Sequence, residues 1–355
     1  MKKNYLLLED GEIIEGESVG YDGDTCGEVV FTTGMTGYPQ SLTDPSFGGQ
    51  LLIFTYPLIG NYGVPAPIHM DAHLMANFES ERVWPQGVIM SSDIETPSHY
   101  QMAQSLSSWL TSSHVPAISH IDTRALTQKI REKGVMRGMI SRSKSFSWDD
   151  SVLTDLVPKA SLSETIKYMP REYSGKRIVL IDCGVKHGIL RELLANGYEV
   201  IRIPWNEDPL IYADSIDGVV CSNGPGDPKD CKVTIEHIRQ VIDRHIPFVG
   251  VCLGHQLAAL ALGADTYKLP YGHRGLNQPC QDVTTGKAYV TSQNHGYAVD
   301  RRTIPHGVSE WFINLNDGTN EGLKCDKQKI WTTQFHPEGN PGPFDTKWVF
   351  SLFKK

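Results

Sequence analysis

A cysteine placed between an apolar strand and a helix is the strongest chemical signal in the sequence. Cys252 lies in the segment Gly250–Gln256 (GVCLGHQ), after the strand-like run 247–251 and before the helix-like run 257–262. Glycines on both sides permit a tight turn, and a helix N-terminus favours a thiolate and offers backbone N–H groups to an oxyanion. Most cysteines are buried structural residues, but this position predicts a nucleophile.

A nucleophilic thiol needs a base, and the sequence offers one after another predicted strand. His336 and Glu338 follow the strand-like run 329–333, and a carboxylate can orient an imidazole and stabilise its charged form. On an extended chain, residues two apart face the same side, and Pro337 favours an extended His336. A lone histidine near a strand end is more often structural. Together with Cys252, however, His336 is predicted to be the general base.

A glycine-rich loop follows a third predicted strand, 217–221. Gly224 and Gly226 lie in Cys221–Pro228 (CSNGPGDP), where they would let the backbone approach a ligand closely. A plain type II turn explains such a sequence more often than a binding site does. The loop lacks the third glycine of a dinucleotide fingerprint and the GK[ST] of a P-loop, so we expect no nucleotide there.

The elements that must position these groups repeat a strand and helix pattern. The strand-like runs are 177–182, 198–203, 217–221, 247–251 and 329–333, and the clearest helix-like runs between them are 188–196 and 233–245. Such repetition predicts an α/β domain with a parallel sheet covered by helices. Ligands bind such sheets at the carboxyl ends of the strands.

The first part of the chain has a different pattern. Strand-like runs at 28–33 and 50–55 are interrupted by frequent glycine and proline, and helix-like runs follow at 100–111 and 122–133. We therefore predict a separate domain of mixed α and β structure at 1–145. A linker is expected at 146–175, followed by the α/β domain at 176–355.

Composition indicates an ordinary globular protein of 355 residues with a formal net charge of -8. That charge argues against non-specific nucleic-acid binding, and neither a signal peptide nor a membrane span of roughly 18 apolar residues is predicted. The seven scattered cysteines contain no CxxC pair, which fits a reducing cytoplasm. His69 and His73 have the spacing of a zinc helix but lack the glutamate of HExxH, so no metal site is predicted.

The nucleophile, loop and base motifs, in this order, resemble those of the class I glutamine amidotransferases, whose flavodoxin-like domain uses a Cys-His-Glu triad. Further segments are similar to signatures of carbamoyl-phosphate synthetase small subunits: 31–38 (FTTGMTGY), 42–46 (LTDPS), 55–61 (TYPLIGN), 121–126 (IDTRAL), 272–277 (GHRGLN) and 291–297 (TSQNHGY). The resemblance implies an N-terminal domain of the swivelling β/β/α type before the amidotransferase domain.

The resemblance also implies roles for individual residues. Cys252 would be the nucleophile, His336 the base and acid, and Glu338 the residue that orients His336. Backbone amides of Gly224 and Leu253 would stabilise the oxyanion. The positions that would hold the substrate glutamine are Ser46, Gly226, Gln256, Asn294, Gly296 and Tyr297. Tyr297 stands where the family often has phenylalanine, which would leave a backbone contact in place.

By this resemblance the chain hydrolyses glutamine to glutamate and ammonia through a glutamyl thioester. The ammonia would pass through a tunnel to a large subunit, forming a heterodimer that makes carbamoyl phosphate from bicarbonate for arginine and pyrimidine synthesis. ATP with Mg is expected in the large subunit, and no cofactor is expected in this chain.

Two other functions remain open at this point. One is a different class I amidotransferase or a stand-alone glutaminase, against which the N-terminal signatures count. The other is a scaffold that binds a synthetase without catalysis, against which the complete triad counts.

Overall fold

Two compact units, Met1–Leu156 and Val157–Lys355, make up the chain. A computed structural model describes residues 2–145 and 147–354. Among those residues no helix has both the length and the apolar character that a bilayer span requires.

The first unit is built on a closed β-barrel. Its strands are β1 Lys3–Leu8, β2 Ile13–Gly20, β3 Thr25–Thr32, β4 Gln50–Phe54, β5 Val64–Pro65, β6 His69–Asp71, β7 Leu74–Met75, β8 Gly87–Ile89, β9 Met102–Gln104, β10 Pro116–Ser119 and β11 Met136–Ser141. The barrel order is β1-β11-β3-β4-β8-β10-β2, and β5 with β9 and β6 with β7 form two small separate sheets.

Within the described residues of this unit, three α-helices and two 3-10 helices accompany the strands. They are α1 Tyr38–Leu42, α2 Leu106–Ser112 and α3 Thr123–Lys133, with 3-10 helices at Pro45–Phe47 and Asp150–Leu153. The prediction of a helix over 100–111 is partly wrong, because its first half contains β9 and the helix begins only after Ser105. The Ser105 side chain accepts a hydrogen bond from Ser108 N and so caps α2.

The second unit contains a ten-stranded mixed sheet. Its strands are β12 Ile166–Tyr168, β13 Arg177–Asp182, β14 Glu199–Pro204, β15 Gly218–Cys221, β16 Phe248–Val251, β17 Thr266–Asp282, β18 Ala288–Val299, β19 Ser309–Asn314, β20 Asn320–Cys325 and β21 Ile330–Thr333. The order is β12-β14-β13-β15-β16-β21-β20-β19-β17-β18. The predicted parallel sheet is confirmed for the five strands from β14 to β21.

Four α-helices and five 3-10 helices accompany these strands. They are α4 Leu156–Ala160, α5 His187–Ala195, α6 Lys232–Asp243 and α7 Leu253–Leu262, with 3-10 helices at Pro209–Ser215, Pro228–Asp230, Arg301–Thr303, Asp326–Gln328 and Lys347–Lys354. Apolar side chains of α6 and α7, among them Ile238, Val241 and Leu257, are buried in one core with side chains of the parallel strands. This packing holds the helices on the sheet and fixes where each helix begins.

The segment 146–175, predicted as a linker, contains regular structure: the 3-10 helix Asp150–Leu153, α4 and β12. Strand β12 pairs antiparallel with β14 and forms one edge of the large sheet. Strands β17 to β20 extend the opposite side of that sheet in antiparallel fashion. No strand was predicted from the sequence between β16 and β21. The structure shows four strands there, which form this antiparallel extension.

Candidate active site

The strand-to-helix elbow predicted around Cys252 is present between β16 and α7. Cys252 has φ 55° and ψ -101°, a conformation that a residue with a side chain rarely adopts. Its backbone N–H donates to the carbonyl oxygen of Thr333 at 2.8 Å, which ties the elbow to the neighbouring strand β21. The structure therefore holds this thiol in a strained and defined position at the carboxyl end of the sheet.

The glycines beside the cysteine are required by close backbone packing. A Cβ on Gly254 would lie 2.2 Å from the carbonyl oxygen of Cys221, and a Cβ on Gly250 would lie 2.5 Å from the carbonyl oxygen of Gly254. Gly254 N also donates to Ser222 O at 3.0 Å. The elbow can therefore form only with glycine at these two positions.

The loop containing Gly224 packs against the elbow. A Cβ on Gly224 would lie 2.1 Å from the carbonyl oxygen of Cys183 and 2.8 Å from Leu253 Cδ2, so glycine is required there too. Gly226 has φ +92°, in the left-handed region. The structure thus brings Gly224 and Leu253 into neighbouring positions, while their proposed role toward an oxyanion stays a prediction.

His336 and Glu338 form a buried pair just beyond β21. His336 Nδ1 lies 2.7 Å from Glu338 Oε1, and both side chains are at most 1% exposed. They meet through a turn, in which Gly339 N donates to His336 O at 3.2 Å. The prediction that the chain stays extended from His336 to Glu338 is therefore wrong. The turn brings the two side chains together because Pro337 and Glu338 reverse the chain direction.

Charges around this pair favour its ionised form. Although burial disfavours the imidazolium, the Glu338 carboxylate raises the pKa of His336 to about 10, with Cys252 adding to the effect and Lys186 opposing it. Burial also opposes ionisation of Glu338, but Lys186 and His336 lower its pKa to about 2. His336 Nε2 is buried and makes no hydrogen bond of ordinary geometry with the described residues.

Lys186 is a member of the site that the sequence analysis missed. Its Nζ lies 3.0 Å from Glu338 Oε1 and donates to Gly339 O at 2.8 Å, and its side chain is 2% exposed. It follows β13 and is the N-cap residue of α5. A lysine at the carboxyl end of a predicted parallel strand was the available signal, because that edge of the sheet is where ligands bind.

Four of the predicted glutamine-binding positions lie on α7 or on the part of β18 that contacts Cys252. The thiol donates to the carbonyl oxygen of Asn294 at 3.6 Å, and Gln256 Nε2 donates to the carbonyl oxygen of Tyr297 at 2.8 Å. Gly296 lies between Asn294 and Tyr297 on β18. Strand β18 thus passes along Cys252 and contacts α7 through Gln256.

Ser46 lies in the first unit, in the 3-10 helix Pro45–Phe47. It is 7% exposed, and its N–H donates to the side chain of Asp44 at 2.9 Å. The structure describes this position within the first unit alone. Its proposed contact with glutamine therefore stays a prediction.

A second buried cluster, His273, His295 and Glu321, has the composition of a metal site. One ligand atom from each residue lies within 4.8 Å of the other two. Although burial opposes it, hydrogen bonds and charge from Asp317 and Glu321 raise the pKa of His273 to about 9. The two ring nitrogens of His273 lie 2.8 Å from Asp317 Oδ2 and 3.4 Å from Glu321 Oε1, so carboxylates of this chain stabilise an imidazolium there. The expected absence of a metal site stays a prediction.

Comparison with known proteins identifies two family segments. Residues 6–140 match the model described as carbamoyl-phosphate synthase small chain, CPSase domain, and residues 179–355 match glutamine amidotransferase class-I. The carbamoyl phosphate synthase small chain of Pyrococcus furiosus is 45% identical, and the match covers 100% of this chain and 97% of that protein.

Two further relatives differ in how the matching segment is used. The carbamoyl phosphate synthase arginine-specific small chain of Chaetomium globosum is 42% identical over 98% of this chain and 77% of that protein. The multifunctional protein pyr1-3 of Dictyostelium discoideum is 42% identical over 99% of this chain but only 17% of that protein. The same segment therefore occurs both in a separate small chain and as one part of a much longer protein.

Proposed function

Because the chain belongs to the carbamoyl phosphate synthase small-chain family and carries its class I glutamine amidotransferase domain, we propose that it hydrolyses glutamine through Cys252, His336 and Glu338. The observation that carries this proposal is the strained elbow at Cys252 beside a buried imidazole whose pKa is raised by Glu338. An imidazolium beside a cysteine stabilises the thiolate, which is the nucleophilic form of the residue.

In the first half of the reaction, the Cys252 thiolate attacks the carboxamide carbon of glutamine. The carbon–nitrogen bond then breaks, the leaving nitrogen takes a proton from the His336 imidazolium, and ammonia departs from a glutamyl thioester. Glu338 keeps Nδ1–H of His336 hydrogen-bonded, so Nε2 faces the reaction. Each proton transfer thus occurs at a nitrogen whose orientation the buried carboxylate fixes.

In the second half, water attacks the thioester carbon and gives up a proton to neutral His336. The carbon–sulfur bond breaks, glutamate leaves, and the cysteine and imidazolium pair is restored. Backbone N–H groups of Gly224 and Leu253 stabilise the oxyanion in both halves. This role is supported by the packing of the Gly224 loop directly on Leu253.

The substrate lies between β18, the N-terminus of α7 and the Gly226 turn. Gln256, Asn294, Gly296 and Tyr297 contact its amino-acid end, and Ser46 from the first unit completes the set. Support for the β18 positions comes from their bonds to Cys252 and Gln256. Polar groups at fixed places can thus orient the carboxamide toward the sulfur.

The ammonia is used by a larger partner. Relatives that are named small chains imply such a partner, and the Dictyostelium multifunctional protein carries the matching segment within one long chain. We propose that the partner binds ATP with Mg, forms a heterodimer with this chain in the cytoplasm and receives the ammonia through a tunnel. Carbamoyl phosphate made there would serve arginine synthesis, pyrimidine synthesis or both.

The direct test is glutamate release from glutamine by the purified chain, alone and with a cognate large subunit, ATP and bicarbonate. A strong rise in rate in the full mixture, with carbamoyl phosphate formed, is expected. Rapid acid quenching followed by mass spectrometry should find one glutamyl group on the peptide containing Cys252. A fast isolated chain that is indifferent to the mixture would instead indicate a stand-alone glutaminase or another amidotransferase.

A further inference from the structure

Two buried glutamines connect the sulfur of Cys252 to the backbone of β18. Gln334 Nε2 donates to Cys252 Sγ at 3.7 Å, and Gln334 Oε1 accepts from Gln256 Nε2 at 3.0 Å. Gln256 Nε2 also donates to the carbonyl oxygen of Tyr297 at 2.8 Å. Both side chains are almost fully buried, at 0% and 3% exposure, so these bonds form away from water.

The Tyr297 carbonyl fixes which way both amides face. A carbonyl oxygen can only accept, so Gln256 must present its nitrogen toward Tyr297. The second hydrogen of that nitrogen points to Gln334, which must therefore present its oxygen to Gln256. The nitrogen of Gln334 is then the atom left to face Cys252, and this orientation follows from the whole network.

We propose that Gln334 is a further catalytic residue, whose side-chain N–H donates a hydrogen bond to the Cys252 sulfur and stabilises its thiolate form. The proposal rests on the function proposed above, in which this sulfur is the nucleophile. Gln334 directly follows β21, and its own N–H donates to Glu321 O at 2.8 Å. Its backbone is thus fixed, and the side chain needs no rearrangement to reach the sulfur.

A donor from Gln334 adds to the effect of the His336 imidazolium, because the contact of the sulfur with Asn294 suits only the thiol. In the thiol form, Sγ–H donates to the carbonyl oxygen of Asn294 at 3.6 Å. After the proton leaves, that oxygen faces a negative sulfur and can no longer accept from it. Cys252 is 2% exposed, so hydrogen bonds from the protein must replace the hydration of its thiolate. A hydrogen bond to an ionised acceptor is stronger than one to a neutral acceptor.

The buried ionisable groups of this part of the unit are retained in every variant described below: Lys186 before α5, His255 on α7, His295 on β18, and His336 and Glu338 after β21. Gln334→Met, which removes the donor and adds no charge, is therefore the variant that isolates the effect of the lost donor.

The test is the rate of alkylation of Cys252 by iodoacetamide as a function of pH, followed by peptide mass spectrometry. Gln334→Met has nearly the shape of glutamine but no donor, and it should move the half-maximal rate upward by about one pH unit. At neutral pH alkylation should then be about tenfold slower, as expected for one unit of titration. Gln334→Glu, which keeps the shape and adds a negative charge, should shift the profile at least as far.

Gln281→Met is the matched control, because Gln281 Nε2 donates to Gly286 O at 3.0 Å in an exposed turn of the same unit. Its alkylation profile should match that of the unmodified protein, and thermal unfolding should show that all variants fold. If one Gln334 variant fails to fold, the other provides the test. A Gln334→Met or Gln334→Glu profile that superimposes on the unmodified protein would overturn the proposal.

Glutamine hydrolysis gives a separate readout. In Gln334→Met, kcat should fall about tenfold at neutral pH, in step with the slower alkylation. Alkylation needs no glutamine, so it reports on the hydrogen bond even if Cys252 were not the nucleophile for glutamine. Failure of the proposed function and failure of this inference are thus distinguishable.

Discussion

Lys186 and Glu338 form an ion pair that is almost completely removed from water. A buried charge without its partner is strongly destabilising, by about 3–5 kcal/mol, whereas replacing both partners with neutral groups is much less harmful. The pair therefore links the stability of the domain to the ionisation of the triad. Glu338 holds the lysine and the histidine at once, through the same oxygen.

Glu338→Gln should lower both activity and stability. We expect kcat for glutamine hydrolysis to fall by roughly 10²-fold or more, because His336 loses the carboxylate that favours its charged form. The free energy of unfolding should fall by about 3 kcal/mol or more, because the buried Lys186 ammonium loses the carboxylate that balances its charge.

The double variant Lys186→Met with Glu338→Gln separates these two effects. It should recover most of the lost stability in urea unfolding while glutamate release stays low. Equal stability of the single and double variants would contradict the assignment of the ion pair.

His273 predicts a pH dependence of stability. Burial disfavours its imidazolium, but Asp317 and Glu321 raise its pKa to about 9, above the usual 6.5. Since the folded state binds the proton more tightly, the stabilisation is complete below pH 6.5 and is lost as pH rises toward 9. The difference corresponds to about 3 kcal/mol.

Urea unfolding at several pH values checks this expectation. The unmodified protein should lose about 3 kcal/mol more than His273→Gln between pH 6 and pH 9.5. His306→Gln, at an exposed position, should behave like the unmodified protein. Parallel pH curves for the unmodified protein and His273→Gln would refute the assignment.

The elbow between β16 and α7 is the element on which the chemistry depends. A side chain on Gly254 would collide with the backbone at Cys221, and backbone atoms cannot move away as a flexible side chain can. The elbow must therefore shift if alanine is introduced.

Gly254→Ala should reduce kcat by roughly 10²-fold, since a displacement of about 1 Å at a reacting group has an effect of this size. Gly263→Ala provides the control at the other end of α7. Gly263 has φ +98° but open space around its Cβ position, so alanine there should cost about 1 kcal/mol of stability and leave kcat unchanged. Similar kcat values in steady-state glutamate assays of the two variants would argue against a strained nucleophile.

The parallel part of the fold could be predicted because its strands are short apolar runs buried on both faces. The run 177–182 became β13, and 247–251 became β16 with a shift of one residue. Long strands β17 and β18 were not predicted, since glycine, histidine and other polar residues interrupt their hydrophobic pattern. Those polar residues are buried in hydrogen-bond networks, which periodicity cannot detect.

The site likewise contains features that the sequence predicts and features that it does not. Residue types and element ends predicted the elbow and the histidine and glutamate pair. The turn at Pro337, the buried Lys186 and the bond from Gln334 to Cys252 depend on tertiary contacts, so local sequence could not reveal them.

At the scale of the whole chain, one of the six positions proposed to hold glutamine lies in the first unit and five lie in the second. Ser46 belongs to the first unit and the triad belongs to the second.

Ser46→Ala should raise KM for glutamine about tenfold with a smaller change in kcat, because a hydrogen bond to a charged group contributes roughly 1.5–3 kcal/mol. Ser112→Ala, at the exposed end of α2, should leave both constants unchanged. An unaltered KM in Ser46→Ala, measured by initial rates of glutamate release, would remove Ser46 from the site.

We propose above that this chain supplies ammonia to a synthetase partner through Cys252. The most direct measurement is carbamoyl phosphate formation by the reconstituted complex with ATP and bicarbonate, using either glutamine or ammonia as nitrogen donor. With Cys252→Ser, synthesis from glutamine should be abolished while synthesis from ammonia continues at nearly the unmodified rate. Continued synthesis from glutamine by Cys252→Ser would contradict the account.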